Sequence, residues 1–73
     1  MVDITIRHKD GHKVTFLADS IEEARGIVEA EAICTAENTH PVDIDAIFPM
    51  SYTIKDEHGE IHGRVNEEGW MLK

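Results

Sequence analysis

Residues 2 to 18 carry apolar side chains at every second position, Val2, Ile4 and Ile6 and then Val14, Phe16 and Ala18, with Asp3, Thr5, Arg7, Lys13 and Thr15 between them. Successive side chains of a strand point to opposite faces, so this pattern describes two strands, each with one dry face. The break between them, His8-Lys9-Asp10-Gly11-His12, fits a three-residue loop, Lys9-Asp10-Gly11, whose glycine takes the left-handed position of a bulged hairpin. That loop sets Ile6 opposite Val14, Ile4 opposite Phe16 and His8 opposite His12. A two-residue Asp10-Gly11 loop would set Ile6 against Thr15 and break the apolar face.

The next segment supplies a cover for that face. Asp19 or Ser20 is positioned as an N-cap, Ser20 with Glu23 makes a capping box, and Glu22 and Glu23 suit the positive end of a helix. Ile21, Ala24, Val28 and Ala32 fall on one stripe with Ile27 at its edge, while Glu22, Arg25 and Glu29 face outward. Gly26 weakens the helix unless it lets the backbone approach a strand closely. The helical pattern fades after Cys34, and Asn38-Thr39-His40-Pro41 ends it. Residues 41 to 49 hold Val42, Ile44, Ile47 and Phe48, too apolar for a free loop, and are expected to pack against the core.

Alternation returns at Met50, Tyr52 and Ile54 and again from Ile61 to Val65, across Glu57-His58-Gly59-Glu60. The expected register opposes Ile54 to Gly63 and Tyr52 to Val65. Asn66-Glu67-Glu68-Gly69 then turns the chain into Trp70-Met71-Leu72, with Val65 expected opposite Trp70 and Gly63 opposite Leu72. The reading is one α+β domain over residues 1 to 73: a two-layer ββαβββ arrangement with a mostly antiparallel sheet of about five strands and one helix packed across one face. A chain this short hides only about 60% of the surface its unfolded form exposes, so its stability is modest.

Charge narrows the function classes. The chain carries 15 Asp and Glu against 7 Lys and Arg, a net −8. In residues 19 to 49, eight acids (Asp19, Glu22, Glu23, Glu29, Glu31, Glu37, Asp43, Asp45) face the single Arg25. Such a surface repels phosphate backbones and argues against direct nucleic-acid binding. The one cysteine cannot form an internal disulfide, and the sequence has neither a signal-peptide pattern nor a run of membrane-span length. A cytoplasmic setting is the expectation.

Glycine-rich phosphate loops, nucleophile elbows, CxxC, HExxH and EF-hand patterns do not occur, so neither an enzyme nor a cofactor protein is expected. His8 and His12, as cross-strand neighbours, are candidate metal ligands. Zinc wants three or four donors, and His40, Cys34 and Asp10 join only if the connector folds back onto the hairpin. The plainer reading of the pair is an amphipathic closure of the core. His58 and His62 differ in facing and are poorer candidates, and Cys34, among apolar neighbours, is expected to be a buried structural thiol. The pairs Asp43/Asp45 and Glu67/Glu68 suit an ordinary solvated face. Phe48, Met50, Trp70 and Met71 are a candidate apolar patch.

The leading expectation is a small acidic interaction module that binds a basic protein surface through its middle segment or a sheet edge. Candidate contacts are Glu22, Glu29, Glu37, Asp43, Asp45, Phe48 and Trp70. One form of it is an accessory or phage-type inhibitor whose acidic face imitates nucleic acid. The alternatives are a metal-binding or metal-sensing domain using His8 and His12, and a homodimeric structural subunit joined through Phe48, Met50 and Trp70.

Overall fold

The computed structural model describes residues 1–72. The first alternating segment forms β1 (Val2–Arg7) and β2 (Lys13–Ala18), paired Ile6 to Val14 and Ile4 to Phe16 as the pattern requires. His8 and His12 close the hairpin, the His8 amide donating to the His12 carbonyl at 2.7 Å, and Gly11 takes φ +103°, a conformation that side chains resist. Helix α1 (Ile21–Glu37) starts at Ser20, whose hydroxyl accepts from the Glu23 amide at 3.1 Å. The return half of the cap lands one residue early, where Glu23 Oε2 accepts from the Asp19 amide at 3.4 Å. Ala24, Val28 and Ala32 are the buried stripe.

The connector folds into a 3-10 turn at Pro41–Asp43 and a one-turn helix α2 (Ile44–Ile47), so the expected single helix is corrected to one long helix with a short helical step after it. A cis Phe48-Pro49 bond leads into β3 (Met50–Asp56), followed by β4 (Gly59–Val65) and the two-residue β5 (Met71–Leu72). All pairings are antiparallel, in the order β2-β1-β3-β4-β5. The class is α+β, with four long strands carrying the sheet.

Two registers differ from the sequence reading. The second hairpin turns at Glu57-His58, so Ile54 pairs with Ile61 and Tyr52 with Gly63. This two-residue shift keeps every side chain on its expected face. Between β4 and β5 the slip is one residue: Val65 pairs with Met71, not Trp70, and Arg64 with Leu72. A one-residue slip exchanges faces. Met71 therefore turns inward, its sulfur 3.8 Å from the Tyr52 hydroxyl that donates to it, and Trp70 turns out.

The core lies between α1 and the inward face of the sheet. Ile4, Ile6, Met50, Ile54 and Val65 from the strands meet Ala24, Val28 and Ala32, with Phe48 entering from the connector. Full burial of each large side chain is worth about 1.5–3 kcal/mol. Phe48 and Met50 are thus core residues, so that of the expected apolar patch Trp70 alone is left largely exposed. Among the described residues no element packs on the opposite sheet face, where Arg7, Lys13, Ser51, Lys55 and Arg64 are exposed.

Two glycines behave in opposite ways. Gly26 faces solvent with nothing within 4 Å of an added Cβ, so the expected close approach to a strand does not occur. A Cβ on Gly63 would instead lie 2.5 to 2.8 Å from the Tyr52 ring that lies over it. Gly26→Ala should therefore raise the unfolding free energy by about 0.5–1 kcal/mol, while Gly63→Ala should lower it by about 1–3 kcal/mol. Urea unfolding of both variants checks this. Equal signs would contradict the packing described.

Candidate functional site

Two regions gather residues with chemistry. The first is the tip of the β1–β2 hairpin. Continuing the alternation of both strands puts His8 and His12 on the helix side, and their ring centroids are 6.0 Å apart at a tilt of 48°. Asp10 joins them from the loop: its Oδ1 accepts from the His12 amide at 3.0 Å and lies 3.1 Å from His12 Nδ1. One donor atom from each of His8, Asp10 and His12 can be chosen so that all lie within 4.8 Å of one another. Hydrogen bonding from the His12 amide first, and from its ring second, pulls the Asp10 carboxyl below its ordinary value of 3.8.

The connector does fold back onto this hairpin, since the Lys9 amide donates to the Ile47 carbonyl at 3.0 Å. A groove of about 390 Å³ results, lined by the three hairpin residues together with Cys34, Thr35, Asn38 and Ile47. Cys34 corrects an expectation: it is exposed, because α1 runs on to Glu37 and carries position 34 past the apolar stripe toward the hairpin tip. His8 Nε2 is buried with no hydrogen-bond partner, the single such side-chain nitrogen or oxygen among the described residues. His40 does not join the group; its Nδ1 accepts from the Val42 amide at 3.3 Å, capping the 3-10 turn. His58 stays in the second turn, and His62 lies on the bare sheet face between Thr53 Oγ1 at 3.2 Å and Glu60 Oε2 at 3.1 Å.

The second region is the acidic flank. Glu22, Glu29, Glu37, Asp43 and Asp45 are all exposed. On α1 the three glutamates fall within about 80° of one another and span roughly 22 Å of helix axis. Among the described residues none of these five acids is in an ion pair. Trp70, 68% exposed, shares a shallow groove with Glu29, Glu68 and Met71. Gly69 makes this possible: its φ is +83°, and an added Cβ would sit 3.0 Å from the Ile33 side chain and 3.1 Å from Glu29 Cγ. Phe48, named with these residues from the sequence, is buried and takes no part.

The bare sheet face holds what the sequence reading missed. Lys13, Arg7, Ser51 and Arg64 are successive cross-strand partners, and so are Thr15, Thr5, Thr53 and His62. With Lys55, four of the chain's seven bases share this face against Asp3 and Glu60, and Glu60 lies 3.9 Å from the Lys55 ammonium. The molecule is therefore polar in charge, acidic on the helix side and mildly basic on the sheet side.

Asp10 yields a signed pH effect. A carboxyl whose folded pKa is depressed stabilises the fold fully above its ordinary value and loses that contribution as pH falls through the folded value. In chelator-treated buffer, wild type should be more stable than Asp10→Asn at about pH 6, and the gap should narrow as pH falls below the ordinary carboxyl value of 3.8. Thermal unfolding across this range reads it; a constant gap would mean that the charge on Asp10 is irrelevant to the turn.

Among the described residues no helix is long and apolar enough to cross a membrane. Comparison of the chain with protein-family models, with curated proteins and with solved structures found no match.

Proposed function

We propose that this chain is a non-enzymatic interaction module that binds a basic protein surface along the acidic side of α1 and the connector, with Trp70 as its anchor. The observation that carries the reading is the grouping of an exposed tryptophan with Glu29 and Glu68 partway along an acidic strip that, among the described residues, has no ion pair. An indole face attracts a guanidinium or ammonium group, and two flanking carboxylates supply the charge-assisted hydrogen bonds such a group seeks. Anchors of this kind, aromatic and set in a rim of polar groups, dominate interface energetics.

The strip extends the anchor. Glu22, Glu29 and Glu37 along α1, then Asp43 and Asp45 on the connector, present fixed negative charges over a length suited to an elongated basic surface. In the narrower form of the proposal the strip occupies a nucleic-acid site on a basic protein, as an accessory or phage-type inhibitor does. The mild positive charge of the bare sheet face supports docking through the helix side, because a basic partner is repelled from the other.

Isothermal titration of an arginine-rich peptide into the full chain tests this. Affinity should fall at least about tenfold between about 50 mM and 500 mM salt. Trp70→Ala should weaken it about two- to fivefold, and Glu29→Lys with Glu68→Lys should remove it. Arg7→Glu on the sheet face should change it by less than about twofold, since screened charges act over a Debye length of about 10 Å. Binding indifferent to salt and to the Glu29/Glu68 reversal would refute the electrostatic anchor.

A further inference from the structure

We propose that His8, Asp10 and His12 hold a divalent transition-metal ion, zinc in the first instance, with Cys34 recruited from α1 as the fourth ligand. Two imidazoles, a carboxylate and a thiolate are the donor types that zinc takes in tetrahedral sites, and a set rich in nitrogen and sulfur disfavours calcium and magnesium. The proposal does not depend on the reading of the acidic flank as a binding surface.

Three observations converge on the hairpin tip. The first is proximity: the His8, Asp10 and His12 donors lie within 4.8 Å of one another, on a loop fixed by the His8–His12 and Gly11–His8 backbone hydrogen bonds at 2.7 and 3.0 Å. A site so prearranged loses little chain freedom on binding. The second is the buried, unpartnered His8 Nε2. Leaving such an atom unmatched costs about 1–3 kcal/mol, and in the tautomer that carries its proton on Nδ1 that nitrogen offers a lone pair for a dative bond. The third is the wall opposite. The C-terminal turns of α1 line the groove through Cys34, Thr35 and Asn38, with no basic side chain in the last turn. The negative end of the helix dipole favours a cation there.

Cys34 stands outside the 4.8 Å set but on the same groove, with its thiol exposed. Metal binding would draw the helix end toward the loop, the thiol giving up its proton to solvent as the sulfur–metal bond forms. Thiolate and Asp10 carboxylate together neutralise the ion, so the completed site carries no net charge. That balance spares the partly buried His8 end of the site an uncompensated charge.

Cobalt(II), which replaces zinc and is coloured, gives the test on the full chain. One cobalt per chain is expected, with the strong visible bands of tetrahedral geometry and a near-ultraviolet thiolate-to-cobalt charge-transfer band, all removed by added zinc. Cys34→Ser should abolish the charge-transfer band and weaken binding by at least the roughly 10- to 100-fold lost when even an outer-shell partner is removed. His12→Gln, at an exposed position whose loss leaves the core intact, should abolish stoichiometric binding, while His58→Gln and His62→Gln should leave it unchanged. Circular dichroism of each variant confirms the fold, and added zinc should raise the melting temperature of wild type but not of His12→Gln. Absence of cobalt binding, or binding indifferent to His12→Gln, overturns the site. Binding with no charge-transfer band overturns the part given to Cys34.

Discussion

The molecule is organised by the contact between the inward face of the two central strands and the small-residue stripe of α1. Ile4, Ile6, Met50 and Ile54 present bulky side chains from the sheet, and Ala24, Val28 and Ala32 answer with smaller ones, all of them fully buried where helix and sheet meet. The neighbouring strands are held by this contact: Val14 and Phe16 of β2 and Ile61 of β4 are only partly buried because the helix lies over the centre of the sheet. A stripe so narrow leaves most of the helix circumference in water. That is why α1 can carry its charge load without harming the core, and why one helix leaves the other sheet face bare.

Local periodicity carried much of this fold, and its limits were those of parity. In the first hairpin Gly11 and the alternation agreed on one loop, and the register followed. In the second, the alternation of Met50, Tyr52 and Ile54 fixed which side chains face inward, but two loop placements were compatible with it. The turn at Glu57-His58 places the open Gly63 under the Tyr52 ring, a pairing settled by shape. Parity failed outright at Trp70-Met71-Leu72, where three apolar residues in a row contain no alternation to read. There Gly69 decides: its left-handed backbone against Ile33 and Glu29 sets the phase with which β5 enters the sheet.

The candidate sites were legible only as far as their residues lay on one element. His8 and His12 are partners across a single hairpin and could be paired from the sequence, whereas Cys34 reaches their groove only because α1 outlasts its apolar pattern by a turn. The basic row of Lys13, Arg7 and Arg64 was invisible for a similar reason, since it requires β1 to lie beside β3, and nothing in the alternation of either strand states that adjacency. The net charge of −8 therefore describes no single face. The charge is instead distributed like a dipole, its two sides separated by the thickness of the fold.

The two hairpins contain an internal comparison that bears on the histidine cluster. Asp10 accepts from the amide of His12 at 3.0 Å, and Asp56 accepts from the amide of His58 at 2.8 Å, so each turn is built on an aspartate followed two residues later by a histidine. Local turn chemistry alone explains both aspartates, whose carboxylates accept from a backbone amide that any residue but proline supplies. It does not explain His8. The second turn projects freely into solvent, with its histidine exposed beside Glu57. The first is pressed between the end of α1 and Ile47, which closes a groove over it and takes the His8 nitrogen out of water without supplying a partner. The difference between a plain turn and a prospective ligand set thus arises from tertiary packing on a common local motif.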